Sequence, residues 1–266
     1  MNCNDEICDM VSSSNVFLNK SPPKIVSNKI NVSFNKFART LDDVFSEEEC
    51  SAIIKVADET GFNIAGIGGT TKQEVISSIR SSERILCRDE MFANEIWNRV
   101  KEHIPIVWNG RPVLGLNELL RFLRYKKGDF FAPHVDGNYC RKGTDNLSLC
   151  TLQLYLSNAN EWMGGATTFC AVETENKKYE AVSIFPQIGR IVLFDHKILH
   201  EGSIVHDGIK YTIRTDVEYG PPSFSSQFLE LIHLGSSPIE NRKTLCKYLC
   251  VILIFAFLGL VQLLIL

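Results

Sequence analysis

Apolar residues follow two periods in succession along the chain. After Ser46 the run EEECSAIIKVADET places them three and four apart, and Ser46 with Glu49 forms a capping box at its start. Gly61 supplies a stop. A second helix is predicted near 90–103, where Phe92, Ile96, Trp97 and Val100 fall on one face. From about residue 112 the pattern changes. Short apolar and β-branched runs alternate with turn residues: LLRFLRYKKGDFFAPHVDG, LCTLQLYLSN, GGATTFC, KYEAVSIFPQIG, RIVLFD and KYTIRTDVEY. Such runs predict an antiparallel sandwich or barrel, so the expected order is helices first and strands afterwards. The glycine-rich stretch GIGGTT at 66–71 lacks the lysine of a phosphate loop and reads as a plain loop. No internal repeat is present.

The two ends differ from this core. Residues 1–35 are rich in Ser, Asn and Pro and read as a flexible tail, without the apolar stretch of a secretory signal. The sequons Asn31-Val-Ser33 and Asn146-Leu-Ser148 are therefore read as chance matches. Residues 221–247 read as a polar linker, with one short helix at 225–234. The run LCVILIFAFLGLVQLLIL at 249–266 has one polar side chain, Gln262, and follows Arg242, Lys243 and Lys247. As a helix it would span roughly 27 Å, close to the hydrocarbon thickness. The expectation is a transmembrane tail anchor over 248–266, with the preceding domain at 36–220 facing the cytoplasm.

Composition narrows the classes. Hydrophobic residues make up 45% and charged residues 22%, the balance of a globular protein and not of a disordered chain. Lys plus Arg is 28 against 31 for Asp plus Glu, so there is no basic surplus, and no nucleic-acid partner is expected. The nine cysteines are scattered and include no CxxC pair. They read as reduced thiols, neither a disulfide frame nor a zinc site.

Candidate chemistry centres on His134-Val135-Asp136. In a strand, residues i and i+2 share a face, so an imidazole and a carboxylate are offered side by side. His200, in ILHEGS, is the candidate third ligand, with His196 and His206 as neighbours that compete for the role. Two His and one carboxylate make the facial triad of non-haem iron sites, with positions left open. Cys140 and Cys150 read as barrel packing, Asp195 as a turn residue, and Trp162-Met163 as a lid or as packing.

The stretch 121–219 resembles the Fe(II)- and 2-oxoglutarate-dependent oxygenases, in their prolyl 4-hydroxylase-like branch. The resemblance rests on Arg121 to Tyr125 with Gly128, Pro133-His134-Val135-Asp136-Gly137, TLQLYL at 151–156, and Gly164 to Phe169. It continues through Pro186, Gly189, Leu193-Phe194, His200, Gly202, Val205, Gly208 and Lys210-Tyr211. It implies an α+β, mainly β fold: a double-stranded β-helix (jelly-roll) core with N-terminal supporting helices, here followed by the transmembrane helix. It implies His134, Asp136 and His200 as metal ligands. It implies Lys210 and Tyr125 for the distal carboxylate of 2-oxoglutarate, Thr151 beside the cofactor pocket, and Arg214 as a rival carboxylate partner that can also pair with Asp216. Fe(II), 2-oxoglutarate, O2 and ascorbate as reductant are the expected cofactors and co-substrates. The expected activity is hydroxylation of a protein side chain such as proline. The alternatives are a lipid or small-molecule hydroxylase and a catalytically silent membrane scaffold. The chain departs from the family in carrying Tyr211 where Trp is usual, and it lacks the peptide-binding domain of collagen-type members.

Overall fold

The structure is a computed structural model, and it describes residues 10–12, 24–30, 32, 36–66, 74–173, 179–223, 225–227 and 229. The apolar segment 248–266 and most of the linker 221–247 lie outside these. Among the described residues no helix is long and apolar enough to cross a membrane.

The chain divides into two units, Met1–Ile104 with Leu114–Glu218, and Pro105–Val113 with Tyr219–Leu266. In chain order the elements are β1 (Val26–Lys29), β2 (Ala38–Asp42), α1 (Glu47–Thr60), β3 (Asn63–Ile64), β4 (Arg80–Ser81), β5 (Glu83–Arg88) and α2 (Glu90–Val100). There follow β6 (Val107–Trp108), β7 (Arg111–Leu116), β8 (Leu119–Tyr125), β9 (Phe130–His134), β10 (Leu147–Tyr155) and β11 (Thr167–Glu173). The last are β12 (Tyr179–Ile184), β13 (Ile191–Asp195), β14 (His200–Gly202) and β15 (Lys210–Tyr219). In the smaller unit, β6 and the start of β7 pair through an Asn109-Gly110 turn in which both residues have positive φ.

The larger unit is a pair of sheets. One runs β1-β2-β13-β10-β15-β8-β5-β3 and the other β12-β11-β14-β9-β4. Residues of both line one central cavity, the jelly-roll arrangement. The alternation seen in the sequence is what buries them. On β13 the fully buried run Ile191–Asp195 sits between β10 and β2, and Phe194 packs against Phe169 of the opposite sheet at 5.2 Å.

Strands are not confined to the second half of the chain. β1 to β5 all precede residue 90, and β1 lies inside the stretch read as a flexible tail. Its four side chains are all exposed, so it carries no hydrophobic signature, and it is held by edge pairing to β2. The second helix stops at Val100 and continues as a 3-10 turn over Lys101–His103. Cys87 is disulfide-bonded, whereas Cys50, Cys140, Cys150 and Cys170 are free, so the reading of nine reduced thiols is corrected. Linear spacing carries no record of a pairing made by tertiary approach.

The helical layer is fixed by one buried ion pair. Glu49, the capping residue of α1, accepts two bonds from Arg99 of α2 at 2.8 and 3.0 Å, while Arg99 also stacks over Phe45 at 4.2 Å. Phe45 is tied to the turn before β13. Gly189 has φ +75°, and a Cβ there would meet the Phe45 carbonyl oxygen at 1.9 Å, so only glycine permits this approach. The side chains of Arg99 and Glu49 are 7% and 3% exposed. Glu49→Ala leaves the buried Arg99 guanidinium with Glu95 and the Val44 carbonyl, and is expected to cost about 3 kcal/mol in urea unfolding.

Candidate metal centre

His134 closes β9 and His200 opens β14, and the two lie directly opposite in the antiparallel register. Their ring centroids are 4.4 Å apart. Asp136 falls two residues past the end of β9 rather than within the strand. Its backbone N–H donates to the His196 carbonyl at 3.0 Å, and this bond carries the carboxylate to the imidazoles. Nε2 of His134 is 3.8 Å from Asp136 Oδ1, and Nε2 of His200 is 3.8 Å from Oδ2. The three ligand atoms lie within 4.8 Å of one another.

Each imidazole is held in one tautomer. Nδ1 of His134 is 2.8 Å from the Ala132 carbonyl, and Nδ1 of His200 is 2.9 Å from the Ile198 carbonyl. A carbonyl only accepts, so Nδ1 carries the proton and Nε2 presents its lone pair. Burial, reinforced by the neighbouring His200, pushes His134 down to about 4, and burial also lowers His200. Both rings are neutral at pH 7, the form that ligates a metal. Burial would raise the Asp136 carboxyl, but the Arg214 guanidinium beside it, with the Thr151 hydroxyl, outweighs burial and keeps it ionised. Two neutral imidazoles and one carboxylate converging from one side fit a divalent metal that accepts nitrogen and oxygen donors.

Both oxygens of Asp136 are engaged within the protein. Thr151 Oγ1 donates to Oδ2 at 2.5 Å, and Arg214 Nη2 lies 2.9 Å from Oδ1. Thr151, expected beside the cofactor pocket, is thus placed on the ligand carboxylate. Arg214 also pairs with Asp216 at 3.1 Å, and Asp216 takes a second arginine, Arg121, at 3.1 Å. Burial would raise Asp216, and these two guanidiniums hold it far below the usual carboxylate range.

Beside the three candidate ligands a small cavity of about 40 Å³ lies between the sheets. Lys210 borders it, 5% exposed and paired with Tyr125 across β15 and β8. Its Nζ lies 5.1 Å from the Tyr125 ring and 5.6 Å from the Tyr155 ring, and no carboxylate pairs with it among the described residues. Burial lowers the ammonium to about 7. Leu123, Gln153, Thr167 and Thr212 also line the cavity. A larger groove of about 460 Å³, partly open to solvent, also borders His134 and Asp136 and runs past Val135, Gly137, Asn138 and Tyr139.

The remaining candidates stand apart from the ligand cluster. His196, the competitor for the third ligand position, is 1% exposed, with Nε2 3.5 Å from Asp216 and Nδ1 3.3 Å from Asn138 Oδ1. His206 is exposed in a turn. Asp195 accepts from the Lys197 N–H at 2.7 Å as a turn residue, Cys150 is buried in β10, and Cys140 and Trp162 are exposed. The sequence reading did not single out Arg80 or Arg121, which border both the cavity and the groove. A signal for Arg121 was available, since positions 121, 123 and 125 share a face of β8.

Residues 120–215 match the family model of the 2OG-Fe(II) oxygenase superfamily. No curated protein matches the chain by sequence. Among solved structures, the viral collagen prolyl hydroxylase of Paramecium Bursaria Chlorella virus-1, in its 2OG complex, aligns at 23% identity and TM-score 0.50, covering 69% of this chain and 96% of its own. A Pseudomonas putida prolyl-4-hydroxylase aligns at 12% identity and TM-score 0.48, covering 68% of this chain and 91% of its own.

Proposed function

We propose, from the membership of residues 120–215 in the 2OG-Fe(II) oxygenase superfamily, that this protein is an Fe(II)- and 2-oxoglutarate-dependent dioxygenase that hydroxylates a protein side chain. In the proposed site His134, Asp136 and His200 hold the iron, and Lys210 with Tyr125 holds the distal carboxylate of 2-oxoglutarate. The observation that carries the reading is Lys210. A buried ammonium without a carboxylate partner, in a cavity bordered by a two-His, one-carboxylate cluster, is a site for a small dicarboxylate that also reaches a metal. Arg214, the rival partner, is occupied by Asp136 and Asp216.

Iron held by His134, Asp136 and His200 would supply oxidative chemistry in which 2-oxoglutarate and O2 yield succinate and CO2 while a C–H bond of the substrate becomes C–OH. The residues of the chain bind and orient. The Ala132 and Ile198 carbonyls keep the Nε2 atoms aimed inward, and Thr151 and Arg214 fix the rotation of the Asp136 carboxylate. Phe131, stacked on His134 at 3.6 Å, and Phe194, edge-on to His200 at 4.7 Å, shield the ligands from water. The groove past Asn138 and Tyr139 is larger than the cavity and partly open to solvent, which supports a protein substrate over a small one. The apolar run at 249–266 supports attachment to a membrane through that segment.

Asp136→Ala is expected to abolish Fe(II)-dependent succinate formation, and retained turnover would overturn the ligand assignment. Lys210→Ala should raise the 2-oxoglutarate requirement about 10- to 100-fold, the worth of a hydrogen bond to a charged group. The free ammonium titrates near about 7 and only its protonated form pairs with a carboxylate. The apparent Kd for 2-oxoglutarate should therefore weaken up to about tenfold per pH unit above that point and level off below it. Calorimetric titration between pH 6 and 9 (about that range) reads this directly. The full chain should stay in the membrane pellet after alkaline carbonate extraction, and removal of 249–266 should release it.

A further inference from the structure

The groove on the substrate side of the ligands is cationic in a way that the proposed chemistry does not use. Its lining includes Arg80, Arg121 and Arg214 against two carboxylates, Asp136 and Asp216. Asp136 is a proposed metal ligand. Asp216 is shared between Arg121 and Arg214, with His196 Nε2 at 3.5 Å. One carboxylate cannot neutralise the arginines left around it.

Two of them also have spare, directional donors. A guanidinium carries five N–H groups. Arg121 spends one, Nη1 on Asp216 at 3.1 Å, and the rest have no acceptor among the described residues. Arg80 spends Nε on Ser82 Oγ at 2.8 Å, and its two terminal nitrogens have no acceptor among the described residues. Arg80 is 9% exposed and lies over Phe131 at 4.7 Å, the ring that itself stacks on His134. Both arginines border the cavity as well as the groove, alongside His134 and Asp136. Two partly desolvated forks at the rim of a reaction site suit a carboxylate, which each can take bidentately.

We propose that the substrate carries a carboxylate close to the C–H bond that is hydroxylated, and that Arg121, with Arg80, receives it. This inference rests on the dioxygenase reading. The carboxylate has two possible sources, an acidic side chain next to the target residue in a peptide, or the acid group of a free amino acid.

The test uses the full-length protein loaded with Fe(II) and 2-oxoglutarate. Three peptides centred on proline and identical except for flanking Glu, Gln or Lys form one arm. L-proline against L-prolinamide forms the other. The readout is succinate formed above the substrate-free rate, with hydroxylation confirmed by mass. At least about a tenfold preference for the acidic member of one arm is expected, and the arm that shows it identifies the source. In wild-type protein that preference should shrink as salt rises from about 0.05 to 0.5 M. Arg121→Gln should reduce it to about twofold, and because a ratio is read, a general loss of activity does not mimic the result. Equal use of acidic and neutral probes, or no stimulation by any acidic probe over a measurable basal rate, overturns the inference and leaves the dioxygenase reading standing. A preference unchanged in Arg121→Gln, with a raised 2-oxoglutarate requirement, overturns it by assigning Arg121 to the co-substrate. Failure to bind Fe(II) and 2-oxoglutarate at all overturns the dioxygenase reading itself, and this inference with it.

Discussion

The antiparallel register between β9 and β14 sets His134 opposite His200, and the rest of the site depends on that alignment. Side chains on a strand alternate between faces, so a slip of one residue would turn one imidazole away from the other and leave Asp136 with half its partners. The register is held from both sides. β14 is pinned by β11, where Phe169 lies opposite His200, and β9 is pinned by β4, where Arg80 lies opposite Phe131. The same pairing that places Arg80 against Phe131 therefore places a guanidinium at the edge of the ligand cluster.

Electrostatics in this interior are arranged by pairing where the structure is fixed and by absence of pairing where a ligand is needed. Glu49 is buried against Arg99, and Asp216 is buried between Arg121 and Arg214, so each of these carboxylates is paired. Lys210 has only aromatic faces beside it, which stabilise a cation weakly compared with a carboxylate. A buried ammonium left so costs stability in the free protein, and a bound dicarboxylate would relieve that cost. Lys210 and Arg214, four residues apart on one face of β15, thus differ in that Arg214 pairs with two carboxylates and Lys210 with none among the described residues.

Close backbone approach at glycine shapes the rim of the barrel. Gly164 has φ +74°, and a Cβ there would sit 2.3 Å from the Ile204 carbonyl oxygen. The neighbouring Gly165 N–H donates to that same carbonyl at 2.9 Å. The double glycine thus lets the chain before β11 lie against the loop between β14 and β15, the loop that leads into Lys210. A side chain at Gly164 would push that loop outward.

Local patterns were legible in the sequence because local physics decides them. The capping box and the periodicity of 47–60 specify α1, which runs over Glu47–Thr60 and ends at Gly61 as read. Alternation in RFLRY, TLQLYL, RIVLFD and KYTIRTDVEY marks β8, β10, β13 and β15, and the HxD pair with a later His marks the cluster. What the sequence left open was settled by contacts between distant segments. β1 has no apolar face and exists through its partner strand, and the Cys87 disulfide has no counterpart in spacing. Lys210 and Arg214 are both cations on the same strand face, equivalent by pattern. Only the tertiary structure, by bringing Asp136 and Asp216 to Arg214 and the Tyr125 and Tyr155 rings to Lys210, decided which of the two is paired with a carboxylate, because desolvation and charge pairing act through space and not along the chain.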